Sequence, residues 1–185
     1  MLSDEQLVEA SLAGTAAAFD ELVGRYQERL LRFLLTRSSC RADAEDAIQD
    51  TFINAYRFLA SFDPRWRFST WIYRIALRNL ARQRRPEWLE SDEALTSNDD
   101  PLQDCIDRSE RENVWITAGR LLSDEAYSAM WLRYVEDMSV KEIANALDKS
   151  LSWTKVTLLR GRRRLTAELA ADGQASAQRE SYGRI

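Results

Sequence analysis

The sequence predicts an all-α protein of two small helical domains joined by an acidic, flexible linker. Apolar residues recur at steps of three and four along most of the chain, which is the period of amphipathic helices. No segment shows the sustained alternation of a convincing strand. Residues 87–106 are acidic, contain Pro101 and lack an apolar stripe, as a linker does. We therefore place domains at 1–86 and 107–170, followed by a flexible tail over 171–185.

The first domain begins with two predicted helices. Ser3 and Gln6 have the spacing of a capping box, which opens a short helix that ends near Gly14. The next helix carries a stripe of large apolar residues that should face a core. The stripe comprises Phe19, Leu22, Val23, Tyr26, Leu30 and Phe33.

Two further helices complete this domain. Asp43 is the expected N-cap of the third helix. Its predicted inner face comprises Ala44, Ala47, Ile48, Phe52, Ala55 and Leu59. The stretch "SFDPRWRFS" then interrupts the helical pattern, because Pro64 restricts its own backbone and that of the residue before it. A fourth helix is expected to begin after Ser69 and end before Pro86.

The second domain contains a helix-turn-helix pattern in "VKEIANALDKSLSWTKVTLLRGRRRL", residues 140–165, after helices expected near 107–121 and after Ser123. Asp148 tolerates an unusual turn conformation, and Ser150 suits the N-cap of the second helix. Two apolar faces can close on each other: Val140, Ile143, Ala144 and Leu147, against Leu151, Thr154, Leu158, Gly161 and Leu165. In such a motif the second helix lies in the DNA major groove.

Most of the outward residues of that second helix are polar or basic. They are Ser152, Trp153, Lys155, Val156, Leu159, Arg160, Arg163 and Arg164. Lys155 and Arg160 could reach bases or phosphates, while residues 162–164 neutralise backbone charge. An arginine-rich C-terminal half also complements the dipole of its own helix, so DNA contact has a purely structural alternative.

The net charge of -4 conceals blocks of opposite sign. Seven arginines and one aspartate lie between Asp63 and Arg85, whereas ten acids and two arginines lie between Glu87 and Glu112. Six basic residues and no acid lie between Lys149 and Arg164. Charge organised in blocks points to charged binding partners.

Composition argues against an enzyme. Histidine is absent, which removes the commonest general base and a common metal ligand. Cys40 and Cys105 stand alone and build neither a disulfide framework nor a zinc site. We expect no catalytic residue, metal or cofactor. Without a run of about 18 apolar residues or a signal-peptide pattern, we expect no membrane insertion and a cytoplasmic location.

Aromatic residues and arginines are interleaved in "SFDPRWRFSTWIYRIALRNLARQRR". Aromatic faces stack on unpaired bases while guanidinium groups hold the backbone, so this pattern favours opened DNA. Phe62, Trp66 and Phe68 in the loop are the stronger candidates, whereas Trp71 is as well suited to packing. The candidate arginines are Arg74, Arg78 and Arg82.

The helix containing "DAEDAIQDTF" has an acidic face. Its candidate binding residues are Asp43, Glu45, Asp46, Gln49 and Asp50. Asp46, Gln49 and Asp50 share one side at steps of three and four. A carboxylate metal site normally adds a histidine and a second carboxylate helix. A solvated face and a docking surface for a basic partner both remain open.

Four segments in order resemble the bacterial extracytoplasmic-function (ECF, group 4) sigma factors of the sigma-70 family, which carry only conserved regions 2 and 4. They are "FDELVGRYQERLLRFL", "DAEDAIQDTFINAYR", "FSTWIYRIALRNLARQRR" and the helix-turn-helix. The resemblance implies an alternative sigma factor, with region 2 in the first domain and region 4 in the second. The implied partners are promoter DNA, the clamp helices and flap of core RNA polymerase, and an anti-sigma factor, which could hold the chain at the inner membrane.

The resemblance also assigns roles to residues. The acidic helix would dock on the clamp helices of the largest polymerase subunit. The loop from Phe62 to Ser69 would capture a flipped base of the minus-10 element, and the helix-turn-helix would read the minus-35 element. Arg78, Trp153 and Thr157 depart from residues common in the family, so neither promoter sequence is carried over.

Two alternatives remain. A helix-turn-helix regulator that binds duplex DNA without polymerase explains residues 138–165, but neither the loop aromatics nor the acidic helix. A carboxylate-metal hydrolase centred on Asp43, Asp46 and Asp50 lacks a histidine and a second acidic helix.

Overall fold

The structure is a computed structural model that describes residues 2–38, 40–83 and 110–182. Every regular element in these ranges is helical, which confirms the predicted fold class. The elements are α1 (Asp4–Leu12), α2 (Ala16–Leu35), α3 (Arg41–Arg57), a 3₁₀ turn (Leu59–Ser61), α4 (Phe68–Gln83), α5 (Glu110–Leu121), α6 (Asp124–Tyr134), α7 (Val140–Leu147) and α8 (Leu151–Tyr182). No helix within the described ranges is long and apolar enough to cross a membrane.

The first two helices begin and pack as predicted. The Ser3 hydroxyl accepts a bond from the Gln6 amide at 3.2 Å, and the Gln6 side chain accepts the Ser3 amide at 2.8 Å. The stripe on α2 faces the core, with Val23 at its partly buried edge. The Tyr26 hydroxyl donates to Asp4, and burial raises the pKa of this tyrosine. These contacts hold α1 against α2.

The third and fourth helices begin earlier than predicted. Cys40, not Asp43, is the N-cap residue of α3, because the extended backbone at Cys40 (φ -150°) places Arg41 in the first helical position. Asp43 lies in the first turn instead, where its charge favours the helix N-terminus. Helix α4 begins at Phe68, whose side chain is fully buried. The predicted inner face of α3 is buried, with Phe52 at its half-buried edge, except that Leu59 lies beyond the end of α3 and is buried in the 3₁₀ turn instead.

The helix-turn-helix has the predicted turn. Asp148 ends α7 in the left-handed conformation (φ 56°, ψ 45°), and the Ser150 hydroxyl accepts the Trp153 amide at 3.1 Å. Gly161 permits close packing of α8 on α6, since a Cβ atom there would lie 3.1 Å from the Met130 side chain. Leu151 was predicted to face inward, but it is 49% exposed. It lies in the first turn of α8, ahead of the part of the helix that packs on α6.

The two halves of the chain share one core. The Phe33 ring of α2 lies 5.8 Å from the Trp131 ring of α6 and 5.3 Å from the Tyr73 ring of α4. Arg37 also spans the halves and donates to the Asp124 carbonyl at 2.5 Å. The predicted linker, 87–106, lies outside the described residues. Helix α8 continues through Tyr182, past the predicted tail boundary, and the four-part division of the chain stays a prediction.

Candidate polymerase and nucleic-acid interfaces

The acidic residues of α3 point away from the core. All five candidates are exposed, while the residues between them are buried. Arg41 binds Glu45 at 2.8 Å one helical turn away. Among the residues that the structure describes, neither Asp46 nor Asp50 has an ion-pair partner. Helix α3 therefore presents uncompensated negative charge to solvent.

An apolar extension of this face was missed by the sequence analysis. Ile53 and Tyr56, 49% and 60% exposed, lie one and two turns beyond Gln49 and Asp50 on the same helix face. The Tyr56 ring rests edge-on against Phe19, with ring centroids 5.0 Å apart. Their spacing of three to four residues from the acids was a usable signal. An exposed surface that joins acids to large apolar groups suits a protein partner better than solvent alone.

The loop between the 3₁₀ turn and α4, residues 62–67, is called the aromatic loop. The Asp63 carboxylate accepts the Arg65 backbone amide at 3.0 Å and the Arg65 guanidinium at 2.6 Å. These bonds from Arg65 hold the pKa of Asp63 below its ordinary value. Asp63 thus fixes the turn at Pro64. Trp66 follows this turn, and its side chain is half-buried.

The aromatic candidates divide into a core residue and more accessible rings. Phe68 is fully buried, with its ring 5.3 Å from Tyr26 and 5.8 Å from Trp71. The prediction that it contacts a base does not fit this position, because the first residue of α4 turns into the helical core. Phe62 and Trp71 are half-buried and meet edge to face at 5.6 Å. Of the aromatic candidates, Trp66 and these two rings are the ones that DNA could reach.

The arginines of α4 lie beside the loop. Arg78 and Arg82 are exposed, whereas Arg74 is half-buried and its Nη2 lies 3.9 Å from an Asp148 carboxylate oxygen. Asn79 joins α4 to α3 through two hydrogen bonds. Its side-chain amide donates to the Thr51 hydroxyl, and its side-chain carbonyl accepts a bond from the Asn54 amide. The helix is therefore rigidly held, which keeps its arginines in a defined position relative to the loop.

The recognition helix, the first four turns of α8, is largely open to solvent. Ser152, Lys155, Val156, Leu159, Arg160, Arg163 and Arg164 are exposed. Thr154 and Gly161 are buried, and Leu158 and Thr157 are half-buried. Trp153 lies under the Lys149 ammonium at 5.3 Å, and Lys149 also binds Glu125 at 2.6 Å. The exposed set forms a face on which charged and apolar groups alternate.

The fold and these surfaces define a helical transcription protein with a helix-turn-helix and a separate aromatic, arginine-rich surface. The profile of Sigma-70 region 2 matches residues 22–89, and that of Sigma-70 region 4 matches residues 120–165.

Curated relatives match over most of both chains. The ECF RNA polymerase sigma-E factor of Haemophilus influenzae is 33% identical over 87% of this chain and 92% of its own length. The RNA polymerase sigma-H factor of Pseudomonas aeruginosa is 31% identical over 86% of this chain and 90% of its own. The chain belongs to the sigma-70 family, in its ECF group. It is an alternative sigma factor, not an enzyme: it binds core RNA polymerase and directs promoter-specific transcription initiation.

Solved structures share the fold. CnrH, solved with the cytosolic domain of CnrY, aligns with a TM-score of 0.68 at 24% identity, over 91% of this chain and 98% of its own. The sigma factor RpoE of Bartonella quintana, solved with the anti-sigma factor NepR, aligns with a TM-score of 0.60 at 20% identity, over 83% of this chain and 98% of its own.

Proposed function

We propose that α3 is the surface through which this sigma factor docks on core RNA polymerase. Asp46, Gln49 and Asp50 contact basic groups on the clamp helices, flanked by Asp43 and Glu45. Ile53 and Tyr56 extend the contact with apolar area. The observation that carries this assignment is that the Asp46 and Asp50 carboxylates are exposed, have no ion-pair partner among the described residues and adjoin the exposed apolar groups of Ile53 and Tyr56. A merely solvated face needs no adjoining apolar patch.

Region 2 captures the opened minus-10 element at the aromatic loop. Trp66, Phe62 and Trp71 offer ring faces or edges to unstacked bases. Arg74, Arg78 and Arg82 hold the phosphates of the same strand. Phe68 has no part in this contact, because its burial gives it a core role. Loop and helix together supply both elements of single-strand binding, stacking and charge.

Region 4 reads the minus-35 element as a duplex. Lys155 and Arg160 lie where side chains of a recognition helix meet base edges, and Ser152 supplies a hydroxyl beside them. Val156 and Leu159 suit apolar contacts such as thymine methyl groups. Arg163 and Arg164 neutralise phosphates. Trp153 and Thr157 support this face from its half-buried edge.

We expect the regulation and the cellular location of this sigma factor to be those common in its family. We place the chain in the bacterial cytoplasm, under an anti-sigma factor that is free or bound to the inner membrane. Region 4 would also meet the polymerase flap. Support comes from the shared fold with sigma factors solved as complexes, and the test is whether a co-purified inhibitor blocks transcription.

The deciding experiment adds the purified chain to core RNA polymerase and measures transcripts from a library of promoter fragments. We expect initiation from a subset of fragments, which also reveals both promoter elements. Asp46→Arg should abolish it, while Asp20→Arg, at an exposed acid of α2, should not. Tight duplex binding by the chain alone, with no initiation, would favour a polymerase-independent regulator instead.

A further inference from the structure

A cleft of about 360 Å³ lies between α4 of region 2 and helices α6 and α7 of region 4. Its volume falls in the range of pockets that bind small molecules, about 300–1,000 Å³. Apolar side chains of α4 and α7 form part of its lining: Leu77, Leu80, Ala81, Ala146 and Leu147. None of the three rings that are proposed to meet DNA lines this cleft, so it is a separate feature of the molecule.

Seven charged side chains complete the lining, four cations and three carboxylates. Six of them form ion pairs: Arg37 with Asp124 at 3.5 Å, Lys149 with Glu125 at 2.6 Å and Arg74 with Asp148 at 3.9 Å. The seventh, Arg78, is exposed and has no ion-pair partner in the ranges that the structure describes. The cleft therefore has one positive charge more than its carboxylates neutralise.

The Arg74 guanidinium has a buried donor that lacks an acceptor. Its Nε atom is buried and has no hydrogen-bond partner within the described ranges. The contact with Asp148, at 3.9 Å, is too long to be a hydrogen bond. A buried N–H group without an acceptor is unfavourable, so an added acceptor would stabilise the site. Arg78 lies one turn further along the same face of α4. Together the two arginines can bind one anionic group.

The lining also restricts the chemistry of the rest of the ligand. None of the side chains that line the cleft is aromatic, so the base of a nucleotide would have no ring to stack on. Leucine and alanine side chains suit an aliphatic chain instead. The excess of one positive charge matches a carboxylate, which carries a single negative charge at neutral pH, whereas a phosphate monoester carries nearly two.

We propose that this cleft binds a small amphipathic carboxylate. The carboxylate accepts the Arg74 Nε–H and lies beside Arg78, and the aliphatic chain packs against Leu77 and Leu147. Region 2 supplies the arginines, while region 4 supplies part of the apolar wall. A bound ligand therefore stabilises the free chain by mass action. The site goes beyond the proposed function, because it involves neither DNA nor polymerase.

Octanoate is the probe, since it combines one carboxylate with an unbranched apolar chain. It is added to the free, full-length protein, and binding is followed through the NMR signals of the arginine Nε–H groups. Arg74→Lys identifies the Arg74 signal by removing it. We expect this signal to shift until it saturates, with a Kd of about 1 mM or lower, the affinity that ligand efficiency allows for about ten non-hydrogen atoms.

Two further compounds separate the contribution of the charge from that of the chain. Acetate keeps the carboxylate without the long chain, and octan-1-ol keeps the chain without the charge. Each should bind at least about tenfold more weakly than octanoate, because each loses one of the two kinds of contact. Acetate binding as tightly as octanoate would show that the apolar wall is not used. Equal binding of octan-1-ol would show the same for the arginines, and either result would overturn the proposal.

Two substitutions locate the site. Ala81→Phe introduces a ring into the cleft from an exposed position and should abolish octanoate binding, whereas Ala17→Phe, at an exposed alanine of α2, should not. Arg78→Gln should weaken binding about tenfold, by loss of a charged contact. Arg82→Gln is the matched control, because Arg82 lies one turn further along α4 and does not line the cleft. Circular dichroism confirms that each variant is folded.

Thermal unfolding gives an independent readout. Saturating octanoate should raise the Tm of the wild type and of Ala17→Phe, but not that of Ala81→Phe. An equal rise for Ala81→Phe, or octanoate binding that leaves the Arg74 signal unmoved, would place the ligand elsewhere and overturn the proposal. Absence of any binding would do the same. None of these measurements involves transcription, so failure of the proposed function would leave their outcome unchanged.

Discussion

The aromatic loop and the recognition helix differ in what covers them. Trp66 lies beneath Lys141 of region 4, while Lys155 and Arg160 face solvent. Both surfaces use cations and apolar groups, but the proposed function assigns unstacked bases to the aromatic loop and an intact duplex to the recognition helix. Exposed aromatic rings attract nonspecific partners more than exposed lysines do. Among the described residues, the aromatic loop is thus the proposed DNA surface that the other half of the chain covers.

The largest expected effect comes from the core that joins the two surfaces. Phe33→Ala removes a fully buried ring that contacts both halves. We expect a loss of about 3–5 kcal/mol and a fall in Tm of roughly 10 °C or more. Calorimetry measures this, with Leu12→Ala at an exposed leucine as the control. An unchanged Tm would mean that the halves do not share a core.

A second substitution separates the two DNA surfaces directly. Trp66→Ala should weaken binding of single-stranded minus-10 DNA to the holoenzyme by about 1–3 kcal/mol, the worth of one stacked base. Binding of a minus-35 duplex should not change. Fluorescence anisotropy with each DNA checks both statements. Lys141→Ala removes the group that covers Trp66, and it should not weaken the binding of either DNA. If Trp66→Ala lost equal affinity for both DNAs, the two surfaces would not bind different forms of DNA.

The Tyr73 hydroxyl donates to the buried Glu136 carboxylate at 2.8 Å, and this bond should leave a signature at alkaline pH. Burial, followed by the charge and hydrogen bond of Glu136, raises the pKa of Tyr73. Since the folded pKa exceeds the unfolded value of about 10, this contribution to stability is full below pH 10 and is lost as the pH rises further.

We therefore expect Tyr73→Phe to be about 1–2 kcal/mol less stable than the wild type at neutral pH. The gap should narrow above pH 10, because only the wild type loses the Tyr73 contribution there. Urea unfolding at a series of pH values measures the gap, and Tyr134→Phe, at an exposed tyrosine, is the control. A gap that does not depend on pH would argue against the Tyr73 bond to Glu136.

The smallest effect concerns the exposed surface. Arg163→Gln should lower the salt dependence of minus-35 duplex binding by about one unit of slope, with little change in preferred sequence. Titrations at several salt concentrations measure the slope. Glu168→Gln on the same helix should leave it unchanged. A change in sequence preference would show that Arg163 reads bases rather than phosphates.

Local patterns in the sequence predicted much of the fold. The capping box at Ser3, the turn at Asp148 and the cap at Ser150 depend on residues within four positions of one another, so neighbours in sequence settle them. The exposure of Asp46 and Asp50 followed from helical period alone. Their contacts with polymerase, like the DNA contacts, stay predictions.

The features that the sequence did not predict depend on residues that are far apart in the chain. Nothing near Phe68 in the sequence indicates whether its ring contacts a base or packs on Tyr26, which lies on another helix. Leu151 kept the helical period yet lies beyond the reach of α6. No local pattern marks Glu136 as a buried ion-pair residue, because its partners Arg29 and Tyr73 are 107 and 63 residues away.

By itself, then, the sequence determined the helices, their buried faces and the order of two sigma regions, because periodicity and capping act over one or two turns. Only the tertiary structure decided that α7 lies on the aromatic loop and that Glu136 is satisfied between the halves. Those choices depend on whether two surfaces complement each other in shape and charge, and such complementarity appears only once both surfaces exist.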